Sequence, residues 1–287
     1  MKNTVSTLLR RKSEGEKLSM ITAYDYTTAR LVDDSGIDMV LVGDSLGMTM
    51  QGYENTIPVT MEESIVYGRS VARGCQNALV IMDMPFMSYQ TSPEQALENA
   101  GRLMKETMAD AVKLEGGKEV CPQIRAITAA GIPVCAHIGM TPQSVHAMGG
   151  FRVQGKDEAN ARRILEDALA VEEAGAFAVV LECIPPKLGA LITEKLNIIT
   201  VGIGAGVCCD AQVLVYQDML GMTEGRTPKF VRRFGEIGEA MKKAFQDYDQ
   251  SVKQGTFPTE QESYLKSDLS EELYQILKDD YEGNEIL

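Results

Sequence analysis

The stretch AFAVVLE, residues 176–182, is apolar and rich in β-branched residues until it ends on an acid, Glu182. The same form recurs along the chain. MVLVG (39–43) runs into Asp44 and Ser45, ALVIM (78–82) into Asp83, DAVKLE (110–115) ends on Glu115, and IPVCAH (132–137) ends on His137. Further apolar runs at 18–24, 198–202 and about 212–216 bring the expected strands to eight. Helical-period segments lie between them at about 26–35, 61–73, 93–107, 118–130, 157–174 and 186–196. Near-continuous apolar strands alternating with helices indicate a parallel sheet covered by helices, and eight of them indicate closure into a (β/α)8 barrel.

Several boundaries carry their own chemistry. Thr60, with Glu63 three residues on, forms a capping-box signature. Ser92-Pro93 puts a cap before a proline at the first helical position. SGID, AGIP and EAGA place glycine after a helix and before a strand, as an α-to-β turn requires. Further helices are expected at about 228–248 and 270–282, so residues 1–287 read as one barrel domain whose part from about 228 is C-terminal helices and an acidic tail.

Lys and Arg total 28 against 41 Asp and Glu, a net charge of −13. Such a surface repels nucleic acid and anionic membranes, and neither is expected as a partner. No apolar run approaches a membrane span, and Lys2, Arg10, Arg11 and Lys12 flank no signal-peptide core. The six scattered cysteines form no C-x-x-C pair, which fits reduced thiols in a cytoplasmic protein. With only His137 and His146 in the chain, a zinc site is poorly supported.

In a parallel barrel the C-terminal strand ends converge on one face, so acids and bases from five strands should meet around one cavity. Taken singly, each could belong to a structural ion pair. Gathered on that face, they point to function. Lys113 and Glu115 are two apart and share one side of their strand. Asp44, Asp83 and Glu115 supply three hard oxygen donors and no soft one, a set suited to Mg2+ or Mn2+. Lys113 would balance their charge or grip a substrate carboxylate. Glu182, on a strand apart from that set, suits a general base. The loop 139–156 has the length of a lid or binding loop, or a subunit contact. GIGAG (202–206) reads equally as a phosphate loop or a tight turn.

These residues, in this order, resemble the ketopantoate hydroxymethyltransferase family. The matching phrases are MITAYDY (20–26), VGDSLGM (42–48), PVTMEE (58–63), VARG (71–74), DMPF (83–86), SYQ (88–90), VKLEGG (112–117), AHIGMTPQSVHAMGGF (136–151), LECIP (181–185) and GIGAG (202–206). The resemblance implies a barrel of the phosphoenolpyruvate mutase and isocitrate lyase type. It also implies Mg2+, for which Mn2+ could substitute, and 5,10-methylenetetrahydrofolate as donor to 3-methyl-2-oxobutanoate. It further implies a homo-oligomer, decameric in many bacterial members. Carried over by motif, Asp44, Asp83 and Glu115 are the expected metal set, and Asp44, Ser45, Asp83 and Lys113 the expected contacts of the 2-oxo acid. Glu182 is the expected proton acceptor, with His137 beside it. Met87 departs from the family's usual DMPFGSYQ, Tyr67-Gly68 from a frequent His-Thr, and Ala211 and Tyr216 from frequent Gly and His. A lyase or mutase of the same barrel group would share the metal logic, but no K-x-C-G-H phrase is present. A non-catalytic, ligand-binding barrel is the remaining alternative.

Overall fold

A computed structural model describes residues 2–150, 152–223, 225 and 227–282. The eight strands are β1 Leu18–Thr22, β2 Met39–Val42, β3 Leu79–Asp83, β4 Ala111–Glu115, β5 Val134–Gly139, β6 Ala178–Glu182, β7 Ile199–Ile203 and β8 Ala211–Leu214. All neighbours pair in parallel, and β1 closes on β8 through Met20↔Val213, so the sheet is a complete barrel. The helices are α1 Val5–Ser13, α2 Tyr26–Asp34, α3 Leu46–Thr49, α4 Met61–Gly74, α5 Pro93–Thr107, α6 Cys121–Ala129, α7 Val145–Met148, α8 Glu158–Glu173, α9 Pro186–Lys195, α10 Tyr216–Met219, α11 Ile237–Lys253 and α12 Glu271–Glu282.

The side-chain period of two sorts each strand into an inner and an outer row. Met20, Leu41, Ile81, Cys135, Val180 and Val201 fill the barrel. Val40, Val80, Leu114, Ala136 and Leu181 belong to the second cluster, which packs under the helices. On β4 this alternation buries Val112 and Leu114 outward and turns Lys113 and Glu115 inward, as their spacing predicts. Leu8 of α1 joins the inner cluster and is fully buried. Lys12 fastens that helix, donating to the carbonyls of Leu196 and Ile198 and pairing with Asp210 at 2.8 Å.

Thr60 and Glu63 form the expected capping box, and Ser92 caps α5. The expected helix at 118–130 is a 3-10 turn, Lys118–Val120, leading into α6, which has proline at its start. The expected helix from about 228 begins only at Ile237. Ahead of it, Phe230 packs on Gly204 and the Phe234 amide donates to Met219 O, so tertiary docking claims these residues first. The eighth strand is shorter than expected because Tyr216 starts α10. The departure at Gly68 has a packing reason: a Cβ there would collide with the side chain of Met82.

The chain divides into two compact units, Met1–Gly235 and Glu236–Leu287. The first holds the barrel. The second holds α11 and α12; within it Lys243–Asp247 and Lys253–Asp249 make i,i+4 pairs, and Tyr248 meets Phe257 edge to face. All six cysteines are free thiols. Among the described residues no helix is long and apolar enough to cross a membrane.

Candidate active site

The inward rows of β3 to β6 end in Asp83, Lys113, Glu115, His137 and Glu182, and Asp44 follows β2. All but Glu182 are buried, and Glu182 is half-buried. Strand register steps these groups around the barrel, with Asp83 opposite Lys113 and Glu115 opposite His137. Gly139, next on β5, pairs with Glu182 and has φ +94°; a Cβ there would strike the Glu182 carbonyl oxygen. Glycine is what lets β5 and β6 lie this close behind that carboxylate.

Lys113 Nζ lies 2.7 Å from Asp83 Oδ1 and 3.5 Å from His137 Nδ1. The His137 ring bridges two carboxylates, with Nδ1 3.3 Å from Glu115 Oε1 and Nε2 3.2 Å from Glu182 Oε2. Both are ion-pair approaches rather than aligned hydrogen bonds. Asp44 turns its amide to Asp83 Oδ2 at 3.2 Å, and its Oδ2 accepts from Gln143 Nε2 at 3.0 Å. Ser45 Oγ lies 2.7 Å from Tyr24 Oη, and the Tyr24 ring rests on Tyr216 at 5.8 Å. Tyr216, a departure from the family pattern, therefore buttresses a residue that positions Ser45.

The electrostatics follow from crowding of buried groups. Burial, with Asp83 and Glu115 adding their charge, holds the Asp44 carboxyl well above the usual range. Burial also raises Asp83, against the opposing pull of Lys113. For Lys113 burial favours the neutral amine, but Asp83, Glu115 and Asp44 outweigh it and keep the ammonium charged. His137 is pushed up to about 9: burial and Lys113 lower it, and its contacts with Glu115 and Glu182 win. It is an imidazolium at neutral pH. Burial lifts the Tyr24 phenol to about 12.

Four carboxyl groups thus face two cationic ones, Lys113 and His137, in the same interior. Glu115 Oε1 is buried and accepts no aligned hydrogen bond. Hard oxygen donors in excess of their counter-ions fit a divalent cation of the magnesium kind. Among the described residues, no three His, Cys, Asp or Glu side chains converge tightly enough to cage a metal ion. Asp44, Asp83 and Glu115 are near enough to repel one another, each adding to the charge that the others feel.

Gln143 and Tyr89, both buried among these acids, are missing from the sequence-based set. Neither carries a charge or a spacing signal; both lie inside family phrases, SYQ (88–90) and AHIGMTPQSVHAMGGF (136–151), which gave them no role. His146 is exposed on α7, away from the cluster of ionisable groups. The GIGAG run ends β7 with Gly202 and Ile203 and then turns, with Phe230 against Gly204 and Pro186 against Gly206.

The model of the family described as ketopantoate hydroxymethyltransferase matches residues 2–260. A 3-methyl-2-oxobutanoate hydroxymethyltransferase of Clostridium novyi (strain NT) is 59% identical over 264 residues, covering 92% of this chain and 96% of its own. One from Enterococcus faecalis (strain ATCC 700802 / V583) is 56% identical over 275 residues, 96% of this chain and 100% of its own. Among solved structures, a phosphoenolpyruvate phosphomutase from Streptomyces platensis subsp. rosaceus superposes with a TM-score of 0.60 at 16% identity, covering 99% of this chain and 98% of its own. A 2,3-dimethylmalate lyase, described as a PEP mutase/isocitrate lyase superfamily member, gives 0.55 at 14%, covering 98% and 100%. The barrel shares its fold with these two structures. The chain belongs to the ketopantoate hydroxymethyltransferase family.

Proposed function

We propose that this protein transfers a hydroxymethyl group from 5,10-methylenetetrahydrofolate to 3-methyl-2-oxobutanoate, giving 2-dehydropantoate for pantothenate synthesis. The observation that carries the reading is the contact of Glu182 with a charged His137, whose other ring nitrogen lies beside Glu115 and Lys113. With its pKa raised to about 9, His137 already carries its proton at neutral pH, which supports Glu182 as the base. Asp44 and Asp83, with Glu115 behind them, would hold Mg2+, or Mn2+ in its place. Such an ion, when bound, would stabilise negative charge on the keto oxygen as the enolate develops. Lys113 and the Ser45 hydroxyl offer donors to the substrate's carboxylate, which fixes C3 toward Glu182. Glu182 takes the C3 proton, and the resulting carbon nucleophile attacks the one-carbon unit, which water releases from the folate as formaldehyde, leaving tetrahydrofolate; protonation of the new alkoxide completes the hydroxymethyl group. His137 pairs with the Glu182 carboxylate and orients it. The homologues' shared name supports the substrate and product, and the excess of buried carboxyls supports the metal. The proposal extends to a cytoplasmic homo-oligomer, which rests on the family resemblance.

Enolisation needs no folate, so the two half-steps can be separated. With Mg2+ and 3-methyl-2-oxobutanoate alone, the enzyme should exchange the C3 hydrogen for solvent deuterium, followed by NMR. Glu182→Gln keeps the shape and should slow that exchange by roughly 10²–10⁴-fold. Exchange at the wild-type rate in the variant would remove Glu182 from the role. Failure of the wild type to form 2-dehydropantoate with the folate present would remove the activity itself.

A further inference from the structure

Gln143 sits in the 3-10 turn Pro142–Ser144, directly after β5, and is almost wholly buried. A primary amide has two N–H donors and an oxygen with two lone pairs. Here all four are used. Nε2 donates to Asp44 Oδ2 at 3.0 Å and to Met84 O at 2.9 Å, and Oε1 accepts from Tyr89 Oη at 2.7 Å and Gln90 Nε2 at 3.2 Å. Tyr89 Oη accepts from the Glu115 amide at 3.1 Å, and of the two acceptors in reach of its proton Gln143 Oε1 at 2.7 Å is nearer than the Glu115 carbonyl at 3.2 Å. That proton fixes which way round the amide lies, because a flipped amide would point N–H at O–H. The Gln143 backbone then donates to Glu115 Oε2 at 3.0 Å.

One residue therefore holds one oxygen of Asp44 and one oxygen of Glu115, from opposite sides of Asp83. In Glu115 it takes Oε2 and leaves Oε1, the oxygen without an aligned donor, for another partner. The side chain reaches Asp44, after β2, while the backbone amide of the same turn reaches Glu115, at the end of β4. We propose that Gln143, oriented by Tyr89, is a positioning residue that fixes Asp44 and Glu115 for a divalent cation and ties the seating of the loop after β5 to cation binding. The inference rests on the metal-dependent reading above and assigns a role to residues outside the ligand set.

The test uses the full chain and Mn2+ alone, with no substrate, titrated by calorimetry and by the electron paramagnetic resonance of free Mn2+. Gln143→Met keeps length and bulk but removes every side-chain hydrogen bond, and it should weaken Mn2+ binding roughly 10–100-fold. Tyr89→Phe keeps the ring and removes only the orienting hydroxyl, so binding should weaken in the same direction and by less. Thermal unfolding of the metal-free proteins reports any loss of fold separately. Folded Gln143→Met that binds Mn2+ within twofold of wild type would overturn the proposal. Should that variant fail to fold, Tyr89→Phe decides by the same criterion. A wild type that binds no Mn2+ would sink the metal-dependent reading and the clamp together. Normal wild-type binding with unchanged variants would sink the clamp alone.

Discussion

Met87 holds a left-handed backbone conformation, φ 64°, with its side chain half exposed between β3 and α5. For a residue with a Cβ that conformation costs roughly 1–2 kcal/mol. Its carbonyl accepts from Gln95 Nε2, which helps to hold the turn against the strain. Met87→Gly would relieve the clash but would also free the unfolded chain by about 0.4–1 kcal/mol. The net expectation is a gain of about 0.5–1 kcal/mol in urea unfolding; a loss would show that the methionine side chain packs usefully despite its exposure. The position was legible as a departure from the family phrase, though its backbone reason was not. Asp83, Glu115, His137 and Glu182 were legible because an acid or base ending an apolar run is costly unless it is used. Gln143 and Tyr89 lay within matched family phrases, but their role went unread for the opposite reason. Neutral polar residues in loops carry no such cost signal, and their partners lie far off in sequence, as Asp44 does from Gln143.

Among the elements, α2 is locked to the start of β3 by one carboxylate. Asp33, near the end of α2, is buried and accepts from the amides of Gln76, Asn77 and Ala78 at 3.0, 2.9 and 2.7 Å and from the Asn77 side chain at 3.0 Å. Burial pushes its pKa up, but those donors outweigh burial and hold it below the usual range. Asp33→Ala should cost about 3 kcal/mol at pH 7, since it strands several amides at once. A depressed folded pKa gives stability that is present above the unfolded value near 3.9 and is lost as pH falls through the folded one. The gap between wild type and variant in urea titrations should accordingly close in acid; a gap constant from pH 7 to pH 3 would mean that the charge is irrelevant. Strands and major helices were readable because burial on both faces leaves an unbroken apolar run, and caps mark where helices begin. α1 was not read at all. Its sequence, VSTLLRRKS, offers only a few apolar residues, and its place follows from Leu8 fitting the open end of a barrel that local sequence does not describe. Residues 228–236 misled in the other direction, because Phe230 and Phe234 are spent on docking rather than on a helical face.

Across the whole barrel, the N-terminal helix acts as a clasp through Lys12, whose ammonium and Asp210 are both largely buried. Lys12→Met keeps the aliphatic stem and should leave Asp210 underpaired, at about 2–3 kcal/mol. For a unit of this size that lowers the melting temperature by roughly 5–10 °C in calorimetry. A fall under about 2 °C would reduce α1 to a loose plug. The same clasp joins residues from the two ends of the barrel sequence, as does the pairing of Met20 with Val213. On a ribosome, β1 is therefore synthesised roughly ten to forty seconds before its neighbour β8 exists, at ordinary elongation rates of about 5–20 residues per second. For that interval the growing sheet is a ribbon with two bare edges and an unroofed interior, the kind of surface that holdase chaperones bind. The last strand to be made is the one that abolishes both edges at once.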